Sequence, residues 1–123
     1  MKWKKGGGDW TRFRKLPGVV EVDFHRSSES YSGHYEDMIL GIYDEALAAL
    51  QEAQEDGERY VLFIHGWSTS RGWKRKTARS MIRRAMESPA ATPYILRGQC
   101  VQHETVFVAA IRSRQERGES QKR

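Results

Sequence analysis

The chain of 123 residues has a single cysteine, only three prolines and no long apolar run. With Cys100 alone, no intrachain disulfide can form and a four-cysteine zinc site is excluded. This fits a reducing compartment, and a cytoplasmic protein is expected. Apolar runs such as Val61-Leu62-Phe63-Ile64 are far shorter than the roughly 20 residues of a spanning helix, so no membrane partner is expected. The basic start Met1-Lys2-Trp3-Lys4-Lys5 leads into Gly6-Gly7-Gly8 and not into an apolar stretch, so a secretory signal is not expected either.

Charge is what the chain has in quantity. Lys and Arg number 21 against 16 Asp and Glu, for a net charge of +5. The isoelectric point is near 9.6 and the mean hydropathy is −0.75. An apolar fraction of 38% beside 30% charged residues suits one globular domain with polar ends. A basic balance of this size permits a nucleic-acid partner without requiring one.

The pattern along the chain predicts an α/β domain. Residues 1–18 mix Lys, Arg, Trp and Gly and read as a flexible basic arm, 19–112 as the folded domain, and 113–123 as a polar tail. Val19–Phe24 is a β-branched run of strand length. Between about Tyr35 and Ala53, Ile39, Tyr43, Leu47, Leu50 and Ala53 recur at helical spacing, with Asp56-Gly57 as the stop. Tyr60–Ile64 is apolar on both faces, as a central parallel strand would be. A second helix is expected from about Lys74 to Glu87, with Ala78, Met81, Ile82 and Ala85 as its buried stripe. Tyr94–Leu96 and Thr105–Ile111 read as two closing strands joined by a turn at Gln99–His103. The order βαβαββ gives a small two-layer sandwich on a mixed four-stranded sheet, its first two strands parallel neighbours through a crossover helix.

The charges separate by element. Glu36, Asp37, Asp44, Glu45, Glu52, Glu55, Asp56 and Glu58 follow one another with no intervening cation. Arg59, Arg71, Lys74, Arg75, Lys76, Arg79, Arg83 and Arg84 then follow with no intervening acid. Two solvated helix faces would explain this much. Cations in a first helical turn, however, oppose the helix dipole unless an anion is present. Arg71, Lys74, Arg75, Lys76 and Arg79 are therefore read as phosphate contacts. Trp67 and Trp73 flank the same loop. Each is either a base-stacking platform, worth about 1–3 kcal/mol, or a core anchor; Trp3 and Trp10 are open to the same two readings.

His25 follows the first strand and His65 the second, so parallel pairing brings both imidazoles to one carboxyl edge. That edge is where open α/β sheets bind ligands. Two histidines beside a cationic helix start suit phosphodiester cleavage without a metal. One takes the proton of an attacking hydroxyl and the other protonates the leaving oxygen. Asp23 lies two positions before His25 on the same strand face, where it either orients a ring or joins His25 and His65 as a ligand set. The competing possibility is that all three only bond loop backbone. His34 is assigned nothing, and His103 and Glu104 are placed away from the site.

Val22-Asp23-Phe24-His25-Arg26, Phe63-Ile64-His65-Gly66, the helix through Glu45-Ala46 and the strand Thr105–Ile111 together resemble a Smr (small MutS-related) domain over residues 19–112. That family has Asp-Leu-His-Gly after its first strand and His-Gly-x-Gly after its second. The resemblance implies a fold like the C-terminal domain of translation initiation factor three. It also implies nucleic-acid binding, with nicking or RNA endonuclease activity in some members. Asp23, His25, His65 and Gly66 match by position, and Gly72 stands in for the second glycine. Arg26 occupies the place of the first motif's glycine, and Trp67-Ser68-Thr69-Ser70-Arg71 lengthens the second loop.

Gly66-Trp67-Ser68-Thr69-Ser70 also approaches the nucleophile elbow of α/β-hydrolases, but its fifth residue is serine, and 123 residues cannot hold such an enzyme's sheet. The expectation is an RNA- or DNA-binding domain with a metal-independent endonuclease activity and no cofactor. Asp23, His25 and His65 are its catalytic residues, and Gly66, Trp67, Ser68, Arg71, Gly72, Lys74, Arg75, Lys76 and Arg79 its nucleic-acid contacts. A binding-only module or a protein-interaction adaptor of the same fold is the alternative.

Overall fold

Alternation of apolar residues along two short runs sets the centre of the fold. A computed structural model describes residues 3–24, 35–66 and 77–113, with backbone alone for 35–40. Five strands form one mixed sheet: β1 (Lys4–Lys5), β2 (Val19–Asp23), β3 (Tyr60–Ile64), β4 (Val101–Gln102) and β5 (Val106–Ala110), in the order β1-β4-β5-β3-β2. β2 and β3 pair in parallel from Val19–Tyr60 to Asp23–Ile64. β5 runs antiparallel to β3 on its other side, with Ile64 opposite Val106. β3 is thus central, as its apolar run predicts.

Two α-helices, α1 (Tyr35–Asp56) and α2 (Ala78–Glu87), complete the described framework with three short 3-10 turns. One core joins Val61 and Phe63 of β3 and Phe107 and Ala109 of β5 to Ile42, Ala46, Leu50 and Ala53 of α1. Met81, Ile82, Ala85 and Met86 of α2 pack into the same core. The alternate residues Leu62, Ile64, Val106 and Val108 pack on Phe13 in a second cluster. Period-two alternation sends each strand's side chains to both faces, so both faces must be covered. Burying each large side chain contributes about 1.5–3 kcal/mol. The inward face of α1 is Ile42-Ala46-Leu50-Ala53, with Tyr43 and Leu47 only half-buried at its margin.

The helix ends explain themselves locally. Gly57 at φ 78° closes α1, with Gly57 N–H donating to Gln54 O (3.3 Å) and Glu58 N–H to Ala53 O (2.9 Å). Thr77 caps α2 in a reciprocal box with Ser80. At the far end of α2, the Arg97 guanidinium donates to Met86 O (3.0 Å) and Ser88 O (2.8 Å), which the last helical turn leaves unpaired.

Four expectations are corrected. The sheet has five strands, not four, because Lys4–Lys5 pairs in parallel with Val101–Gln102. Residues 3–18, read as an arm outside the domain, are packed into it. Trp3 lies edge-on to Phe107 at 4.8 Å and donates its indole N–H to Gln102, while Phe13 covers the second core. Tyr94–Leu96 is not a strand. Pro93 has no N–H for a ladder, and Tyr94 and Ile95 donate back to Ala91 O. Only the Ile95–Ile111 bridge remains there, and the true partner of β5 lies in the stretch read as a turn. Finally, α2 begins at Ala78 and not at Lys74, because the Thr77 cap starts it. Among the described residues no helix is long and apolar enough to cross a membrane.

Candidate anion site at the strand edge

Parallel pairing of β2 and β3 brings Asp23 and His65 to the same carboxyl edge. Asp23 ends β2 opposite Ile64, and its neighbour Phe24 donates its N–H to Ile64 O at 2.7 Å. His65 and Gly66 follow β3 directly, and both backbone N–H groups donate to Thr105 O, at 3.1 and 3.0 Å. Gly66 takes φ 77°, the left-handed turn that glycine adopts without cost. This turn tips the His65 ring inward, and only 5% of the residue is exposed.

The buried ring is half-satisfied. Nδ1 lies 2.9 Å from Gly66 O, whereas Nε2 is buried with no hydrogen-bond partner among the described residues. Burial pulls the imidazole pKa down to about 4 from its usual 6.5, and the Arg83 and Arg79 charges add to the effect. The Gly66 and Val106 carbonyls oppose it. His65 is therefore neutral at pH 7. Arg79 and Arg83 are one helical turn apart on α2, so their guanidinium groups share a face. Arg83 Nε is also buried without a partner, and burial together with Arg79 pulls its pKa down, against the pull of Glu87. The first turn of α2 has no acidic residue. Two like charges thus act on the buried ring, with Glu87 as the one carboxylate among the described residues that opposes them at Arg83.

Of the catalytic residues expected from sequence, Asp23 and His65 are brought to one edge, although Asp23 is exposed where His65 is buried. His25 lies outside the described residues. Of the nucleic-acid contacts, Gly66 and Arg79 are at the site, while Trp67, Ser68, Arg71, Gly72, Lys74, Arg75 and Lys76 lie outside the described residues. Among the described residues no group of three or more His, Cys, Asp or Glu is placed to hold a metal. Arg83 was missed as a site residue. Its signal was the four-residue spacing from Arg79, which puts both on one helical face.

His103 is closer to this edge than its sequence position suggests. Its Nε2 donates to Gly8 O at 2.7 Å, and its Nδ1 accepts from Thr105 N–H at 3.0 Å. The same Thr105 carries the His65-Gly66 turn on its carbonyl. His103 thus ties the glycine segment 6–8 to the strand edge through a turn shared with the site. Compared with protein-family models, curated proteins and solved structures, the chain matches none.

Proposed function

We propose that the chain is a divergent Smr-like domain that binds the phosphate backbone of a nucleic acid at this strand edge. In this reading the two helices and the mixed sheet form a two-layer sandwich similar to the C-terminal domain of translation initiation factor three. One observation carries the binding: Arg79 and Arg83 share a helix face beside the buried His65, and Arg83 Nε has no partner among the described residues. A buried guanidinium N–H such as that of Arg83 Nε favours an oxygen anion, because charge-assisted hydrogen bonds are strongest away from water. A phosphodiester at this edge offsets the Arg79–Arg83 repulsion and pairs with the Arg83 donor.

Endonuclease activity is the stronger form of the proposal. The neutral His65 ring suits a base that accepts the proton of an attacking hydroxyl, not an acid that donates one at pH 7. The acid role then falls to His25. The binding-only reading draws on the same low pKa, since a base so far below neutrality takes up a proton weakly.

Salt dependence tests the binding. Fluorescence anisotropy with labelled single-stranded RNA and DNA is expected to show affinity falling log-linearly with salt. Replacing both Arg79 and Arg83 by Ala should reduce the slope by about 1.4, at roughly 0.7 per single-strand phosphate contact. No binding of either strand at low salt refutes the proposal. For cleavage, His65→Ala should abolish product while retaining most binding, and undiminished cleavage removes the catalytic form.

A further inference from the structure

The donors and acceptors around His65 define more than an affinity for anions, provided that the nucleic-acid reading holds. Gly66 O is a carbonyl oxygen and can only accept, so the proton on the ring sits on Nδ1, 2.9 Å away. In a neutral imidazole the other nitrogen then carries a lone pair and no hydrogen. Nε2 is therefore a buried acceptor with no donor. Arg83 presents the opposite need at its buried Nε, since a guanidinium group donates and never accepts.

A ligand that satisfies both atoms must supply an acceptor oxygen to Arg83 and one O–H or N–H to the ring. The backbone of DNA consists of phosphate and deoxyribose oxygens, all of them acceptors. RNA adds one donor per nucleotide, the 2′-hydroxyl, on the sugar carbon adjoining the one that bears the 3′-phosphate. A phosphate held on α2 brings that hydroxyl along with it. A deoxyribose in the same place leaves Nε2 buried and unpaired, which is the costly outcome for a polar atom.

We propose that this edge selects ribonucleotide strands, with a 2′-hydroxyl donating to His65 Nε2 while the adjoining phosphate lies on Arg79 and Arg83. His65 then determines sugar specificity, and the two arginines provide affinity that is blind to the sugar. A base N–H filling Nε2 instead would bind without regard to the 2′ position, and the probes below separate the two.

The test uses the whole chain and three short labelled oligouridylates identical but for the sugar: ribose, 2′-fluororibose and 2′-deoxyribose. The 2′-fluoro probe keeps the sugar pucker of RNA and lacks only the donor proton. RNA is expected to bind about tenfold more tightly than either modified probe at one salt concentration, the value of one buried hydrogen bond. In His65→Ala the three probes should bind within about twofold of one another. The comparison on the native chain does not depend on the variant's folding. A 2′-fluoro probe that binds the native chain as tightly as RNA overturns the 2′-hydroxyl assignment and leaves phosphate binding intact. Failure of all three probes to bind at low salt overturns both.

Discussion

Acid should unfold this protein through His65 in a narrow and calculable range. The ring is neutral in the folded state, with its pKa near 4, and titrates near 6.5 when the chain unfolds. Between those values the unfolded chain holds one proton more than the folded one, so stability falls as pH falls. The sign follows from a depressed folded pKa. The contribution is complete above about pH 6.5, declines by about 1.4 kcal/mol per unit, and levels off below about pH 4. The total is about 3 kcal/mol, a large part of the 5–15 kcal/mol that holds a typical domain folded. Urea unfolding of the native chain and of His65→Gln across this range isolates the effect, because glutamine does not titrate. The native-minus-variant difference should shrink steadily toward acid. A difference that stays flat, or grows on acidification, refutes the buried neutral ring.

Three further outcomes follow from packing. Trp3→Ala should cost about 3–5 kcal/mol in urea unfolding, as buried tryptophan truncations do, because Trp3 is only 9% exposed against Phe107; a loss below about 1 kcal/mol would mean that the N-terminal segment is not part of the core. Gly41→Ala should stabilise the chain by about 1 kcal/mol, since Gly41 lies inside α1 and, among the described residues, an added Cβ meets only Glu45 Oε1 at 4.0 Å; a lowered melting temperature would contradict the helix there. Cys100 is fully buried and burial pushes its thiol up to about 11, so thiol reagents at neutral pH should label it only after denaturant is added. Fast labelling of the native chain would contradict its place in the core.

What the sequence revealed depended on how local each signal was. β3 was legible because four consecutive apolar residues leave no solvent face, and α2 because Met81, Ile82 and Ala85 keep a helical period. The end of α1 was legible in Asp56-Gly57, since φ 78° suits only glycine there. β1 and β4 were not legible. Each is two residues long, and Lys4-Lys5 has no apolar pattern at all. They exist because Trp3, Gly6 and Gly8 are bonded to residues about 100 positions away, a relation no window of sequence contains.

The site divides in the same way. The place of His65 at the strand edge was legible from the apolar strand before it, and that of Arg79 from the helical period around it. Arg83 appeared in the sequence only as one member of a run of cations. What sets it apart is a buried Nε without a partner among the described residues, which depends on how α2 lies in the fold. The neutrality of His65 was hidden for the same reason, because burial dominates its pKa and burial is a property of the fold.

The most direct measurement observes the pocket itself while RNA is added. In a nuclear magnetic resonance titration of the labelled chain, the Arg83 Nε–H signal and the His65 ring signals should shift together, saturate with RNA, and return as salt is raised. RNA binding that leaves both groups unmoved while other residues respond would place the nucleic acid elsewhere and contradict a phosphate site at the end of β3.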